Sequence, residues 1–205
     1  MRGRGCWILL ACAIFVVSST SSAQERGHVA GVFGWTFGEE TATMYGGQFG
    51  FGVGMGGSIQ IIGAVERMND VLTGRYAILL NGISQITGVD IQGEVPGTYG
   101  GGGVRFTLPG MAVSPYLQLE FGATQTDSTG LVFLDDGDDI TSELPEQLQQ
   151  LLVKTTSFTF TLSAGVRFDV GDNLLAEATF DFMDILTESE DISINRLNFA
   201  FGVRF

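Results

Sequence analysis

Apolar and polar residues alternate with a period of two in eight separate stretches of this chain, which is the pattern of strands with one greasy and one polar face. In the longest stretch, Thr156 to Val170, Phe158, Phe160, Leu162, Ala164, Val166, Phe168 and Val170 share one parity. Thr159, Thr161, Ser163, Gly165, Arg167 and Asp169 take the other. The last stretch repeats this, with Leu197, Phe199, Phe201, Val203 and Phe205 opposed to Asn198, Ala200, Gly202 and Arg204. Six more follow the rule, at residues 29–37, 45–53, 59–66, 104–108, 117–124 and 174–182, with Ile62 an exception on the polar parity.

A soluble sandwich or a ligand-binding barrel would alternate in the same way with its greasy faces inward. The connections separate the readings. Gly54-Met55-Gly56-Gly57, Leu108 to Pro115 and Gly171-Asp172-Asn173 are short joins, whereas Asn69 to Thr98 and Asp127 to Thr155 are long. Short turns alternating with long loops, an even strand count and strands of roughly ten residues describe a barrel whose greasy face meets lipid. The expected fold is therefore all-β: an eight-stranded antiparallel up-and-down transmembrane β-barrel, with residues 68 to 97 and 127 to 155 external. Short helices are expected in these loops. Leu144, Leu148, Leu151 and Leu152 fall at helical spacing, with Ser142 as a cap and Pro145 in the first turn. Leu79, Leu80, Ile83 and Ile86 cluster similarly within Arg75 to Ile86, where a strand extension competes. Their expected role is packing over the barrel rim, with a ligand or partner surface as the alternative.

The amino end reads as an address. Arg2 and Arg4, apolar Cys6 to Val17 and small Ser18 to Ala23 are the three regions of a signal peptide, with cleavage expected after Ala23. A lipoprotein site at Leu9-Leu10-Ala11-Cys12 is disfavoured, because it would leave Ala13 to Val17 apolar beyond the lipid. The apolar run is far shorter than the ~20 residues of a membrane helix. Residues 1–23 are thus expected to be removed and residues 24–205 to form the barrel domain in the outer membrane of a Gram-negative bacterium. Both cysteines, Cys6 and Cys12, leave with the leader, so no disulfide framework is expected. The net charge of −13 becomes −15 once Arg2 and Arg4 are lost, which argues against nucleic acid as a partner.

The carboxyl end, from Asn195 to Phe205, resembles the terminal strand of bacterial outer-membrane proteins. The resemblance implies recognition by the barrel assembly machinery through Phe199, Phe201, Val203 and Phe205. Tyr99-Gly100-Gly101-Gly102-Gly103-Val104-Arg105-Phe106, followed by Pro115-Tyr116-Leu117, resembles the fourth strand, periplasmic turn and fifth strand of the eight-stranded outer-membrane β-barrel family, which includes the transmembrane domain of OmpA-like proteins. This resemblance covers nearly all of residues 28 to 205, and it implies architecture better than function. OmpA-like proteins often carry a peptidoglycan-binding domain after the barrel; none is expected after Phe205. Expected partners are outer-membrane lipid and lipopolysaccharide, the assembly machinery and periplasmic chaperones, with a monomer favoured.

An eight-stranded lumen is just wide enough for side chains to fill it. Glu66, Glu120, Asp169, Glu177 and Asp181 are expected there with Arg105, Arg167 and Arg204, either as a paired polar core that plugs the barrel or as an ion path or gate; the plug is the favoured reading. Gly52-x-Gly54-x-x-Gly57 matches a dinucleotide fingerprint in letters, but an alternating strand follows it where a helix is needed. Asp135-Asp136-Gly137-Asp138-Asp139 lacks the ligand spacing of a calcium loop and reads as a solvated loop able to bridge lipopolysaccharide through divalent ions. Some barrels of this size are lipid A hydrolases or acyltransferases. Here the only histidine is His28, at the start of the first strand, so no catalytic residue, metal or cofactor is expected. The expected function is a non-catalytic barrel serving envelope integrity or surface interaction; the alternative is a narrow channel or carrier for small or hydrophobic molecules.

Overall fold

A computed structural model describes residues 27–37, 41–53, 58–71, 84, 88–108, 113–135, 138–144, 152–171, 173–187 and 191–205. Eight long strands close into a barrel: β1 (Gly27–Phe37), β2 (Thr41–Gly52), β3 (Ile59–Met68), β5 (Gly97–Thr107), β6 (Val113–Asp127), β9 (Lys154–Val170), β10 (Leu174–Leu186) and β11 (Ile192–Arg204). Three short strands, β4 (Asp90–Gln92), β7 (Val132–Asp135) and β8 (Asp138–Asp139), make a separate small sheet in the order β4-β7-β8. Every barrel strand pairs antiparallel with its neighbour in sequence order, and β1 pairs β11 from His28↔Arg204 to Phe37↔Asn195. Among the described residues no helix is long and apolar enough to cross a membrane. The chain crosses with strands.

Period-two alternation becomes two faces of the barrel. Phe49, Phe51, Ile61, Val65, Phe106, Leu117, Phe121, Phe158, Leu162, Phe180 and Phe201 are exposed on the outside, as a lipid-facing belt requires. Gln48, Glu66, Arg105, Gln118, Glu120, Thr161, Ser163, Arg167, Glu177 and Asp181 are buried inside. Ile62 also points inward and is buried; a Cβ on Gly50 would lie 2.7 Å from its Cδ1, so the missing side chain leaves it room. The aromatic ring of Tyr99 depends on the same device. A Cβ on Gly122 would lie 2.7 Å from Tyr99 Cε2 and 2.3 Å from the Gly100 carbonyl oxygen.

The alternation inverts at the end that carries the long loops. There Met44, Met68, Tyr99, Met183, Ile185 and Ile194 point inward and are buried. Their outward neighbours are Thr43, Arg67, Thr98, Asp184, Ser193 and Asn195. The strands have risen past the lipid belt, so water lies outside and an apolar core inside. Val71, Val95, Leu131, Phe133 and Leu144, from the two long connections, complete that core. Phe133 is held from both sides: its N–H donates to Thr141 Oγ1 (3.0 Å) and its carbonyl accepts from the Ile140 N–H (2.9 Å).

Both long connections lie at the end opposite the two described termini, whereas β2–β3, β5–β6 and β9–β10 are joined by short turns at the terminal end. In the second long connection Ser142 is not the helix cap that the spacing suggests. Thr141–Glu143 is a single 3-10 turn that contains Ser142 rather than starting after it, and it ends at Leu144, whose ψ of 144° is extended. Leu144 is held by the apolar core and Thr141 by Phe133, and the extended backbone of Leu144 is the conformation favoured before a proline. Pro145, Leu148 and Leu151 fall outside the described residues, as do Leu79, Leu80, Ile83 and Ile86, the leader at 1–23 and Gly54 to Gly57.

The seam between the first and last strands is sealed by aromatic rings. Phe33 stacks on Phe199 at 5.7 Å and on Phe201 at 6.1 Å, and Trp35 meets Phe199 edge-on at 6.2 Å. Phe205 lies against Phe51 at 6.1 Å and over Gly27, with which it exchanges two backbone hydrogen bonds of 3.1 and 3.0 Å. Phe160, on the outward face near the middle of β9, tests the lipid assignment directly. Phe160→Arg is expected to lower stability by about 2–4 kcal/mol in refolding titrations in lipid vesicles, the depth-dependent cost of a cation on the lipid face; no loss would place that face away from hydrocarbon.

Candidate functional site: the barrel lumen

Inward polar residues gather in layers along the lumen. Nearest the termini, Arg167 Nε pairs with Asp169 Oδ1 at 3.1 Å, and Arg204 Nη1 reaches Asp169 Oδ2 at 3.1 Å. Arg204 Nη2 also donates to the Gly171 carbonyl at 2.8 Å. Arg167 is buried, but the Asp169 side chain is 36% exposed. Asp169 and Arg204 thus pair with each other, and Asp169 also with Arg167, at the rim of the lumen. The cause is positional, since both lie at the last residues of their strands, where the lumen opens. His28 is buried beside this layer.

The next layer joins strands that are not neighbours. Arg105 on β5 makes a forked pair with Glu177 on β10, with Nη1–Oε1 at 2.6 Å and Nη2–Oε2 at 3.1 Å. Gln48 Nε2 on β2 donates to the same carboxylate at 2.6 Å, and Arg105 Nε donates to Gln118 Oε1 at 2.7 Å. The guanidinium sits 4.1 Å from the ring centre of Tyr116, whose hydroxyl contacts Thr179. Every one of these groups is taken out of water, and the fork satisfies both charge and geometry.

Arg196 on β11 holds the layer above. Its Nη1 pairs with Glu66 Oε2 on β3 at 2.5 Å, and its Nη2 with Asp181 Oδ2 on β10 at 2.8 Å. Asn198 Nδ2 donates to the same Asp181 oxygen. Arg196 was not among the residues expected in the lumen. The signal was present: it sits two residues before Asn198, on the inward parity, just beyond where the greasy run Leu197 to Phe205 starts. Glu120 is buried between the two layers, beside a cavity of about 10 Å³, at the lower limit for one water molecule.

Above Arg196 the apolar core begins. Thr124 and Thr159 bridge the walls there through a 2.7 Å hydroxyl contact. Ion pairs, amides and apolar side chains thus line the described lumen from the rim to the loop end, around that small cavity. Of the loop acids, Asp135 and Asp138 pair across β7 and β8 as strand partners, and the neighbouring Asp139 accepts from the Thr141 N–H at 2.9 Å; hydrogen bonds from Thr141 hold its carboxyl below the usual range. Among the described residues no three His, Cys, Asp or Glu side chains form a metal-binding group.

A closed, greasy-coated barrel with a charge-paired interior defines the outer-membrane type of transmembrane barrel. The chain belongs to the outer membrane protein beta-barrel domain family, whose model matches residues 8–205. Among solved structures it is similar to the Neisserial surface protein A, at 11% identity over 87% of this chain and 94% of that one, with a TM-score of 0.51. It is also similar to Ail, the attachment invasion locus protein of Yersinia pestis, at 12% identity over 89% and 100%, with a TM-score of 0.52. At such identities the likeness is one of fold. No curated protein matches by sequence.

Arg196 is the hub on which the charge pairing can be tested. Arg196→Met leaves Glu66 and Asp181 buried without their cation and is expected to cost about 3–5 kcal/mol in urea titrations of the refolded barrel. The triple variant Arg196→Met, Glu66→Gln, Asp181→Asn is expected to recover most of that loss, because no unpaired charge remains.

Proposed function

We propose that this protein is a non-catalytic outer-membrane barrel that serves envelope integrity or surface interaction, and that it does not act as a channel. The filled lumen carries this reading: two layers of ion pairs and an apolar core occupy the described interior from the rim to the loops. The loop end, with its small sheet over the apolar core, faces the cell exterior, and the termini and short turns face the periplasm, as in even-stranded barrels generally. Lipid and lipopolysaccharide surround the belt, and the acidic loops meet lipopolysaccharide through divalent ions. In a planar bilayer, purified protein is expected to give no steady single-channel steps; regular steps would favour the narrow-channel reading.

Phe199, Phe201, Val203 and Phe205 carry the assembly role in this proposal, offered to the assembly machinery after periplasmic chaperones deliver the chain. Sealing the seam is their second use, since Phe199, Phe201 and Phe205 also contact Phe33, Trp35 and Phe51. The two uses separate by where the protein is folded. Deleting Phe205 should lower the heat-modifiable, membrane-inserted protein in cells far more than Phe168→Ala does, while leaving refolding in detergent almost unchanged. Equal losses in cells would show that Phe205 is one more lipid-facing ring.

A further inference from the structure

On the barrel strands, Arg105, Lys154, Arg167, Arg196 and Arg204 each pair with a carboxylate. Among the described residues, Arg67 is the one arginine or lysine that does not. Its Nη1 donates to Thr98 Oγ1 at 2.8 Å, and no other described group takes its remaining N–H donors. The acids nearest in sequence are turned elsewhere: Glu66 faces the lumen and pairs with Arg196, and Asp70 accepts from the Val95 N–H at 3.2 Å. With 23 acidic to 10 basic residues in the sequence, an arginine without an acid is not explained by scarcity.

Arg67 stands at the boundary of the lipid belt. Val65, two residues earlier on the same outward face of β3 and about 7 Å down the strand, is 63% exposed within the belt. Met68, the next residue along, already packs in the apolar core near the loops. Tyr45 on β2 is the strand partner of Arg67 and, with Trp35 on β1, sets amphipathic rings on the outer surface, as at a membrane interface. On the other side the outward row runs through Thr98 on β5, Gln125 on β6 and Thr156 on β9, all uncharged hydrogen-bonding side chains. Toward the belt, Gly47 and Gly100 flank Val65. A Cβ on Gly100 would meet nothing within 4 Å, so the greasy wall dips there.

A cation and neutral hydrogen-bonding groups set directly above a greasy dip suit a lipid with an anionic headgroup. We propose that Arg67, with Thr98 and Gln125 beside it, binds a phosphate of lipopolysaccharide directly, an acyl chain lying over Gly47, Val65 and Gly100. This rests on the proposal that the loop end faces the cell exterior, where lipopolysaccharide supplies the lipid phosphates. A guanidinium offers parallel N–H bonds to two phosphate oxygens, and a terminal phosphate presents more charge and more free oxygens than the diester of a phospholipid. No divalent ion is needed here, in contrast to the acidic loops.

The test is binding of fluorescently labelled lipopolysaccharide to the folded barrel in neutral detergent micelles, read by anisotropy, with EDTA present to remove ion bridges to the acidic loops. Arg67→Gln should weaken binding about tenfold, the scale of one charge-assisted contact, and Arg67→Lys should recover part of the loss. Heat-modifiable gel mobility shows that each variant is folded. Lys154→Gln, at an exposed cation already paired with Asp127, should change binding by less than about twofold. Lipopolysaccharide stripped of phosphate should bind wild type no better than the intact lipid binds Arg67→Gln, and phosphatidylglycerol should compete more weakly than unlabelled lipopolysaccharide. Equal binding by wild type and Arg67→Gln overturns the site but leaves the contact with lipopolysaccharide standing, whereas no binding by wild type overturns both. Phosphatidylglycerol that competes as well as lipopolysaccharide overturns the choice of lipid.

Discussion

Every other feature of this molecule follows from one constraint, the pairing of each backbone amide and carbonyl inside hydrocarbon. Water cannot satisfy a free strand edge there, and each orphan group costs several kcal/mol. The last strand must therefore find the first. It does so in unbroken register from Arg204 to Asn195, and the terminal residue adds a reciprocal hydrogen-bonded pair with Gly27. Aromatic rings on β1 and β11 cover the joint where it is most exposed to lipid.

Closing eight strands sets the width of the interior, and the width sets its chemistry. Past the rim, the charged side chains there are cut off from bulk water, so charges have to find each other across the lumen. Arg105 does this through a forked contact with Glu177 and Arg196 through a single contact with Glu66, each between strands three places apart in the barrel, which ties the two halves of the chain together. Such pairs add less to stability than their short distances suggest, because desolvation offsets much of the attraction. Their stronger effect is on specificity, since a one-residue slip of any strand would send its charges to the lipid.

Much of this was legible in the letters of the chain. Strand positions and inward and outward faces follow from parity, and even Ile62, which breaks the pattern, obeys the geometry by facing inward beside Gly50. Arg196 is hard to see in the letters because the greasy run starts at Leu197, whereas the strand starts at Ile192. The apolar core near the loops was hidden for a related reason. Met183 and Ile185 follow Phe182 on the opposite parity, and without depth the change reads as the end of a strand rather than as an inversion of its surroundings. Pairing between Glu66 and Arg196 is 130 residues apart in sequence and is set by closure alone.

That inversion changes what kind of object the outer part of the molecule is. Up to Thr43, Arg67 and Thr98 the chain answers to lipid; past them it is built like a small water-soluble protein, with its own core and its own three-stranded sheet. The two portions obey different rules for accepting change. A residue in the belt is constrained by the lipid it meets, whereas the described parts of the connections are anchored by Val71, Val95, Leu131, Phe133 and Leu144. Substitutions at described loop residues outside that core, such as Asp135 and Asp138, leave the seam and the lumen ion pairs untouched. The surface of the described loops can therefore be altered while the buried scaffold beneath it is kept.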